Sequence, residues 1–154
     1  MSAKEDVQQL YSELLALQSE YEKQLILYEN LKSQIDALRA LAKDYETTIN
    51  ELEELKEGKE ALVPMGAVLV KANLHEKVLV PLGANFYSTM KPQEAIEKLK
   101  EYKNKVEEEA RMLEGEMGKL AKNIAAIEAK INELATKLKS MQVPTPSTGS
   151  EGSK

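Results

Sequence analysis

His75 is the only histidine in this chain, and there is no cysteine. A metal centre needs several imidazole, thiolate or carboxylate ligands, and a lone imidazole has no second one with which to share an ion. His75 therefore reads as a turn residue. The run Glu107-Glu108-Glu109 sets carboxylates on successive residues. Successive helical positions do not face one another, so the run reads as a solvated face and not as an acid–base pair. No G-x-x-x-x-G-K-[ST] loop is present to cradle the phosphates of a nucleotide. These residues give no catalytic centre, no cofactor and no ATP hydrolysis. What the chain has in quantity is apolar side chains at regular spacing, and their chemistry is binding.

Those side chains fall into two seams. Alternating steps of three and four from Val7 meet Leu10, Leu14, Leu17, Tyr21, Gln24, Tyr28, Leu31, Ile35, Leu38, Ala42, Tyr45, Ile49 and Leu52, with only Gln24 clearly polar. The same steps from Ile96 meet Leu99, Lys103, Val106, Ala110, Leu113, Met117, Leu120, Ile124, Ile127, Ile131, Leu134, Leu138 and Met141, with Lys103 the exception. A sustained repeat of 3.5 residues keeps one narrow apolar stripe facing a partner helix. Two seams of equal length in one chain predict a long antiparallel helical hairpin.

Charge sets the register. With Leu52 level with Ile96, facing seam residues have numbers that sum to 148, and Val7 meets Met141. Lys32 then falls near Glu114, Arg39 near Glu107, Glu46 near Lys100, Glu13 near Lys137 and Glu20 near Lys130, all of opposite sign. A slide of one heptad opposes Glu46 to Glu107 or Arg39 to Lys100. Exposed pairs contribute only ~0.2–1 kcal/mol each, so they select the register more than they hold it. Lys103 is expected to lay its stem along the Tyr45 ring.

Composition narrows the class further. Of 154 residues 31% are charged, with one Phe and no Trp, too few large aromatics for a bulky globular core. The absence of cysteine fits a reducing, cytoplasmic setting. No apolar run approaches the roughly 18 residues of a membrane span, and no signal peptide is recognisable before the first heptad. The net charge of −5, with both signs interleaved, is a poor footprint for nucleic acid.

Between the seams the period changes. Residues 1–56 read as the first coiled-coil helix, 57–91 as two β-hairpins, 92–141 as the second helix, and 142–154 as a disordered tail of Pro, Thr, Gly and Ser. The predicted strands are Ala61–Pro64, Ala67–Asn73, Lys77–Pro81 and Ala84 to Ser88 or Thr89, with turns at Met65-Gly66 and Leu82-Gly83. Val68, Val70, Val78 and Val80 fall on strand faces, and Phe86 and Tyr87 on the fourth strand. Pro64 and Pro81 are read as closing strands. Pro92 opens the second helix, with Ser88 or Thr89 as its cap.

Two isolated hairpins are marginal in water and expose open edges. Pooling strands from several subunits into a closed barrel solves both problems, so an obligate oligomer is expected, with the β-segment as hub. Val68, Val70, Val78, Val80, Phe86 and Tyr87 are the expected assembly residues.

At this point the sequence resembles a known family. Ala61-Leu-Val-Pro-Met-Gly-Ala-Val-Leu-Val-Lys-Ala-Asn-Leu74, Lys77-Val-Leu-Val-Pro-Leu-Gly-Ala-Asn-Phe-Tyr87 and Glu94-Ala-Ile-Glu-Lys-Leu-Lys100 are similar to the α-class subunit of archaeal prefoldin. Two hairpins mark the α class; Pro81 departs from the pattern, where a non-proline strand residue is expected. The resemblance implies a hexamer of two α and four β-class subunits with a double β-barrel body and six coiled-coil arms. It implies capture of unfolded proteins and delivery to a group II chaperonin. A structural scaffold or filament built from the same hairpin on a β hub is the alternative.

The arm suggests where capture takes place. A helix of 46 residues from Val7 to Leu52 is about 69 Å long, and coiled-coil ends fray. At the tip Val7, Leu10, Leu14 and Leu17 face Ile131, Leu134, Leu138 and Met141, with Tyr11 and Leu15 beside the stripe. These are the expected client-binding residues. Leu25-Ile26-Leu27 forms a second apolar patch, with Ile26 outward. Gly115 and Gly118, on the outward face of the second helix, are either tolerated drift or a flexible point.

Overall fold

The structure, a computed structural model, describes residues 3–58, 60–73 and 77–142. His75 and the tail from residue 143 onward, read above as a turn residue and as disordered, lie outside the described residues. The elements in chain order are α1 (Ala3–Lys56), β1 (Ala61–Met65), β2 (Val68–Ala72), β3 (Val78–Gly83), β4 (Phe86–Met90) and α2 (Pro92–Gln142). The fold is mainly α, with two long helices and two small hairpins, as the sequence predicts.

The helices begin and end for local reasons. α1 contains neither Gly nor Pro and is rich in Leu, Glu, Lys, Gln and Ala, all strong helix formers. It stops at Gly58, whose φ of 91° is left-handed and whose N–H donates to the Leu55 carbonyl at 3.0 Å. A glycine there closes the last turn without a Cβ penalty. α2 starts at Pro92, where the missing N–H costs no helical bond. The cap differs from expectation. Ser88 and Thr89 belong to β4, which runs to Met90, so Lys91 takes the cap position. Its N–H donates to Glu94 Oε1 at 3.4 Å, and its carbonyl accepts from Ala95 N–H at 3.0 Å. This is the carboxylate half of a capping box.

The chain divides into two compact units, a terminal unit of Met1–Ser33 with Glu114–Lys154 and a hairpin unit of Gln34–Leu113. In the terminal unit Val7, Leu10, Leu14, Leu17, Tyr21, Gln24, Tyr28 and Leu31 are half-buried, as are Met117, Leu120, Ile124, Ile127 and Ile131. Leu134 and Leu138 are fully buried there. Tyr21 Oη donates across the helices to Glu128 Oε2 at 3.2 Å. The negative charge of Glu128, and the hydrogen bond it accepts, raise the Tyr21 phenol above its ordinary value. Gln24 Nε2 donates to Glu20 Oε2 at 2.7 Å, which leaves Gln24 Oε1 buried without a partner. A polar residue in an apolar seam lowers stability and helps to specify register.

In the hairpin unit Ile49 packs with Ile96 and Leu99, flanked by Tyr45, Leu52 and Tyr102. The pairing of Ile49 with Leu99 has the predicted sum of 148. Tyr45 meets the Tyr102 ring at 5.9 Å and 48°, and Lys98 Nζ lies 5.6 Å from the centre of that same Tyr102 ring. The sequence reading did not foresee this contact of Tyr45 with a second tyrosine, and Lys103 lines a groove with Glu46, Ile49 and Lys100. The edge charges also behave differently from expectation at one site. Lys130 pairs with Glu133 at 3.9 Å on its own helix, and Glu20 accepts from Gln24, so neither needs the other. Short local partners cost less side-chain entropy than partners on another helix.

Each hairpin is a separate two-stranded sheet. β1 and β2 pair with Val63 opposite Val70, Pro64 opposite Leu69 and Met65 opposite Val68. The turn is Gly66-Ala67, with φ of 63° at Gly66, so the strand runs one residue further than predicted. β3 and β4 pair with Val80 opposite Ser88 and Pro81 opposite Tyr87, with a register shift between Pro81 and Gly83. The tip of this hairpin is Ala84-Asn85, with φ of 49° and 65°, a type I′ arrangement that matches strand twist. The sequence placed this turn at Leu82-Gly83. Gly83 has a positive φ of 106°, but it sits at the end of the strand. Pro64 and Pro81 lie inside strands rather than closing them. In a two-stranded sheet alternate residues turn their N–H away from the partner, and proline is tolerated there or at a bulge.

The helix register has a direct test. Because the chain has no cysteine, Leu17→Cys with Ile131→Cys, whose numbers sum to 148, should link efficiently on mild oxidation. Leu17→Cys with Ile96→Cys should not, and efficient linking of that pair would refute antiparallel helices.

Candidate client and assembly surfaces

The seam residues at the open end are largely covered by their partner helix. Leu134 is 3% and Leu138 6% exposed, and Val7, Leu10, Leu14, Leu17 and Ile131 are half-buried. They become accessible to another molecule only where the helices part. Beside the seam the situation is different. Tyr11 and Leu15 are about half exposed, at 52% and 51%, and Met141 is 42% exposed. Leu10 and Met141 line one groove together with Glu13 and Lys137, which brings that predicted charge pair to the same place. Stepping by fours and threes from Tyr11 reaches Leu15, Gln18, Glu22 and Leu25, so Tyr11, Leu15 and Leu25 lie along one flank of α1. Ile26, at 62% exposure, points further outward, as predicted. Leu27 lies on the opposite flank, where it lines a groove with Leu31, Lys119 and Leu120.

In the terminal unit α2 adds Met141 to this surface, and Met112, also exposed on α2, belongs to the hairpin unit. Gly115 and Gly118 have no atom within 4 Å of where a Cβ would stand. No close approach requires glycine at either position.

The hairpins expose more apolar surface than the sequence reading assigned. Val63, Met65, Val68 and Val70 share one face of the first hairpin, and all are exposed. Leu62 and Leu69 are exposed on its other face. Strict alternation predicts one wet face for a solitary hairpin, and this hairpin has none that is polar throughout. The second hairpin is asymmetric. Val80 is 3% exposed in the single chain, and Val78, Ser88 and Met90 on its face are half-buried. Leu79 and Tyr87 are exposed on the opposite face, and Phe86 and Leu82 are exposed near the turn. Leu62, Leu69 and Leu79 were missed because the alternation was read only for its valine face, and Met65 and Leu82 because they were read as turn residues. Among the described residues no group of three or more His, Cys, Asp or Glu is placed to hold a metal ion. No described helix is long and apolar enough to cross a membrane.

Comparison with known proteins places this arrangement. Residues 26–137 match the family described as prefoldin subunit, a span that takes in most of both helices and all four strands. The chain belongs to the prefoldin family. Within this family of chaperones it is similar to the prefoldin subunit alpha of Thermofilum pendens, with 30% identity over 128 residues that make up 81% of this chain and 92% of that protein. It is also similar to the prefoldin subunit alpha of Methanococcoides burtonii, with 29% identity over 109 residues, 67% of this chain and 79% of that protein. Both findings support an archaeal-type prefoldin α subunit, the class indicated by the two hairpins. Among solved structures, filamentous PFD from Methanocaldococcus jannaschii aligns with 26% identity and a TM-score of 0.46, covering 79% of this chain and 98% of that one.

Proposed function

We propose that this prefoldin-family chain is an ATP-independent holdase subunit that captures unfolded polypeptides on the apolar flank and tip of its helical hairpin. The observation that carries this reading is the leftover apolar surface. The seam of α1 is already covered by α2, yet Tyr11, Leu15, Leu25 and Ile26 stay exposed outside it. Apolar attraction has no directional requirement, so such a surface accepts many sequences. Tip residues Val7, Leu10, Leu14, Leu17, Ile131, Leu134, Leu138 and Met141 add to it when the helix ends part. The exposed hairpins, with Val68, Val70, Phe86 and Tyr87 among their apolar side chains, serve as the assembly surface. β-class subunits fill the remaining places of a hexamer with two α and four β chains, and a group II chaperonin receives the client. The cytoplasm is the compartment in which such a handover takes place.

The test is suppression of aggregation of a chemically denatured protein, measured by light scattering without nucleotide. The variant Tyr11→Ser, Leu15→Gln, Leu25→Gln should keep its helicity, because none of the three lies in the seam, and should lose most of the suppression. Unchanged suppression by this variant, in an otherwise normal assembly, would move client capture away from the flank.

A further inference from the structure

The apolar flank of the terminal unit has an acidic centre. On α1 its positions run Tyr11, Leu15, Gln18, Glu22 and Leu25, with Ile26 beside them, and all six are exposed. In the register that sums facing seam residues to 148, the adjoining flank of α2 carries Ala121, Ala125, Glu128 and Ala135, which are exposed as well. Two apolar pairs, Tyr11 with Leu15 and Leu25 with Ile26, are thus separated by two carboxylates, Glu22 and Glu128. Tyr21 holds the second in place, since its Oη donates to Glu128 Oε2 at 3.2 Å across the helices. Among the described residues neither Glu22 nor Glu128 has an ion-pair partner. The lysines of this unit fall at the two ends of the flank, as Lys4, Lys32 and Lys139 do, or on other faces of the helices.

We propose that this flank selects, among unfolded polypeptides, extended segments that carry a Lys or Arg between two apolar side chains. The inference rests on the reading of the flank as the capture surface and adds the chemistry that the surface prefers. Leu15 and Leu25 lie ~15 Å apart along the helix axis, a distance that about five residues of extended chain span at ~3.3 Å each. An apolar side chain near each end of such a segment meets Leu15 or Leu25. A cationic side chain between them lies over Gln18, with its stem on the flank and its charge between Glu22 and Glu128. Ala121, Ala125 and Ala135 end at Cβ and leave room for the segment on the α2 side. An exposed ion pair contributes little, so apolar contact supplies the affinity and the carboxylates supply the preference. A segment with Asp or Glu in the central place meets two like charges and is disfavoured.

The full chain and three fluorescent, unstructured peptides provide the test. The peptides share two leucines at the matching spacing and differ only in the central residue, which is Lys, Gln or Glu. Fluorescence anisotropy at low salt should show the Lys peptide bound about five-fold more tightly than the Gln peptide, and the Glu peptide more weakly than either. At ~1 M salt, where the Debye length falls to about 3 Å, the three affinities should converge. Glu22→Gln with Glu128→Gln should bring them together at low salt, and Glu22→Lys with Glu128→Lys should reverse their order, with helicity retained in both. Glu116→Gln, which neutralises a carboxylate on the opposite flank beside Leu27, should leave the order as it was. Equal binding of the three peptides by the parent chain would overturn this inference and leave capture on the flank standing. A preference that survives Glu22→Gln with Glu128→Gln would do the same. Failure of the parent chain to bind any of the three would overturn the capture reading and this inference with it.

Discussion

Removal of Met1–Leu17 together with Ile131–Lys154 is expected to leave a chain that folds and assembles but no longer protects a denatured client. Ten seam positions remain on each helix, from Tyr21 to Leu52 and from Ile96 to Ile127. Each of those spans is 32 residues long, beyond the ~12–15 residues at which an isolated helix is marginal. The hairpin unit, Gln34–Leu113, is untouched by the cut. What goes is Tyr11, Leu15 and the tip seam, and with them most of the apolar surface at the open end. Light scattering of an aggregating client should rise nearly to the level without chaperone. Removal of residues 143–154 alone should change little, since that segment contains Val143 as its one large apolar residue. A doubly truncated chain that assembles and still protects would leave Leu25-Ile26-Leu27 as the capture site. If substitution there were also silent, a scaffold role would displace the chaperone one.

The second large effect separates two valines that the sequence treats alike. Val70 is exposed in the single chain and shares its face with Val63, Met65 and Val68. Val70→Lys should leave the folded chain intact by circular dichroism and abolish assembly in light scattering, because an unpaired charge cannot enter an apolar interface. Val80 is already buried within the chain. Val80→Lys should destabilise the hairpin unit itself by about 3 kcal/mol or more, the upper range for one substitution. An intact oligomer with Val70→Lys would show that this face is not an interface. Equal thermal stability of the two variants would contradict the placement of Val80.

The helices were readable from sequence because a 3.5-residue apolar period has one physical solution, a covered stripe, and the two seams, Val7 to Leu52 and Ile96 to Leu138, are such stripes. The hairpins were readable as elements, and their details were not. Pro64 was read as a strand end, although an outward N–H position tolerates proline inside a short ladder. The second turn was placed on Gly83, since a left-handed alanine at Ala84 is uncommon and glycine is the expected marker. The fate of Val80 was hidden for a different reason. Alternation says that Val78 and Val80 share a face, but it does not say whether this chain or another covers it. Similarly, Tyr45 found Tyr102 because a second aromatic residue one position from the seam was within reach, which heptad counting ignores.

The exposed first hairpin has a thermodynamic corollary. Its six large apolar residues, Leu62, Val63, Met65, Val68, Leu69 and Val70, have no cover within the chain, whereas the seam of the terminal unit is covered by the chain's own second helix. Cover supplied by other molecules obeys mass action, and cover supplied by the same molecule does not. Dilution therefore weakens the hairpins and leaves the helical pair indifferent. At low subunit concentration this chain would keep its paired helices while losing its neighbours.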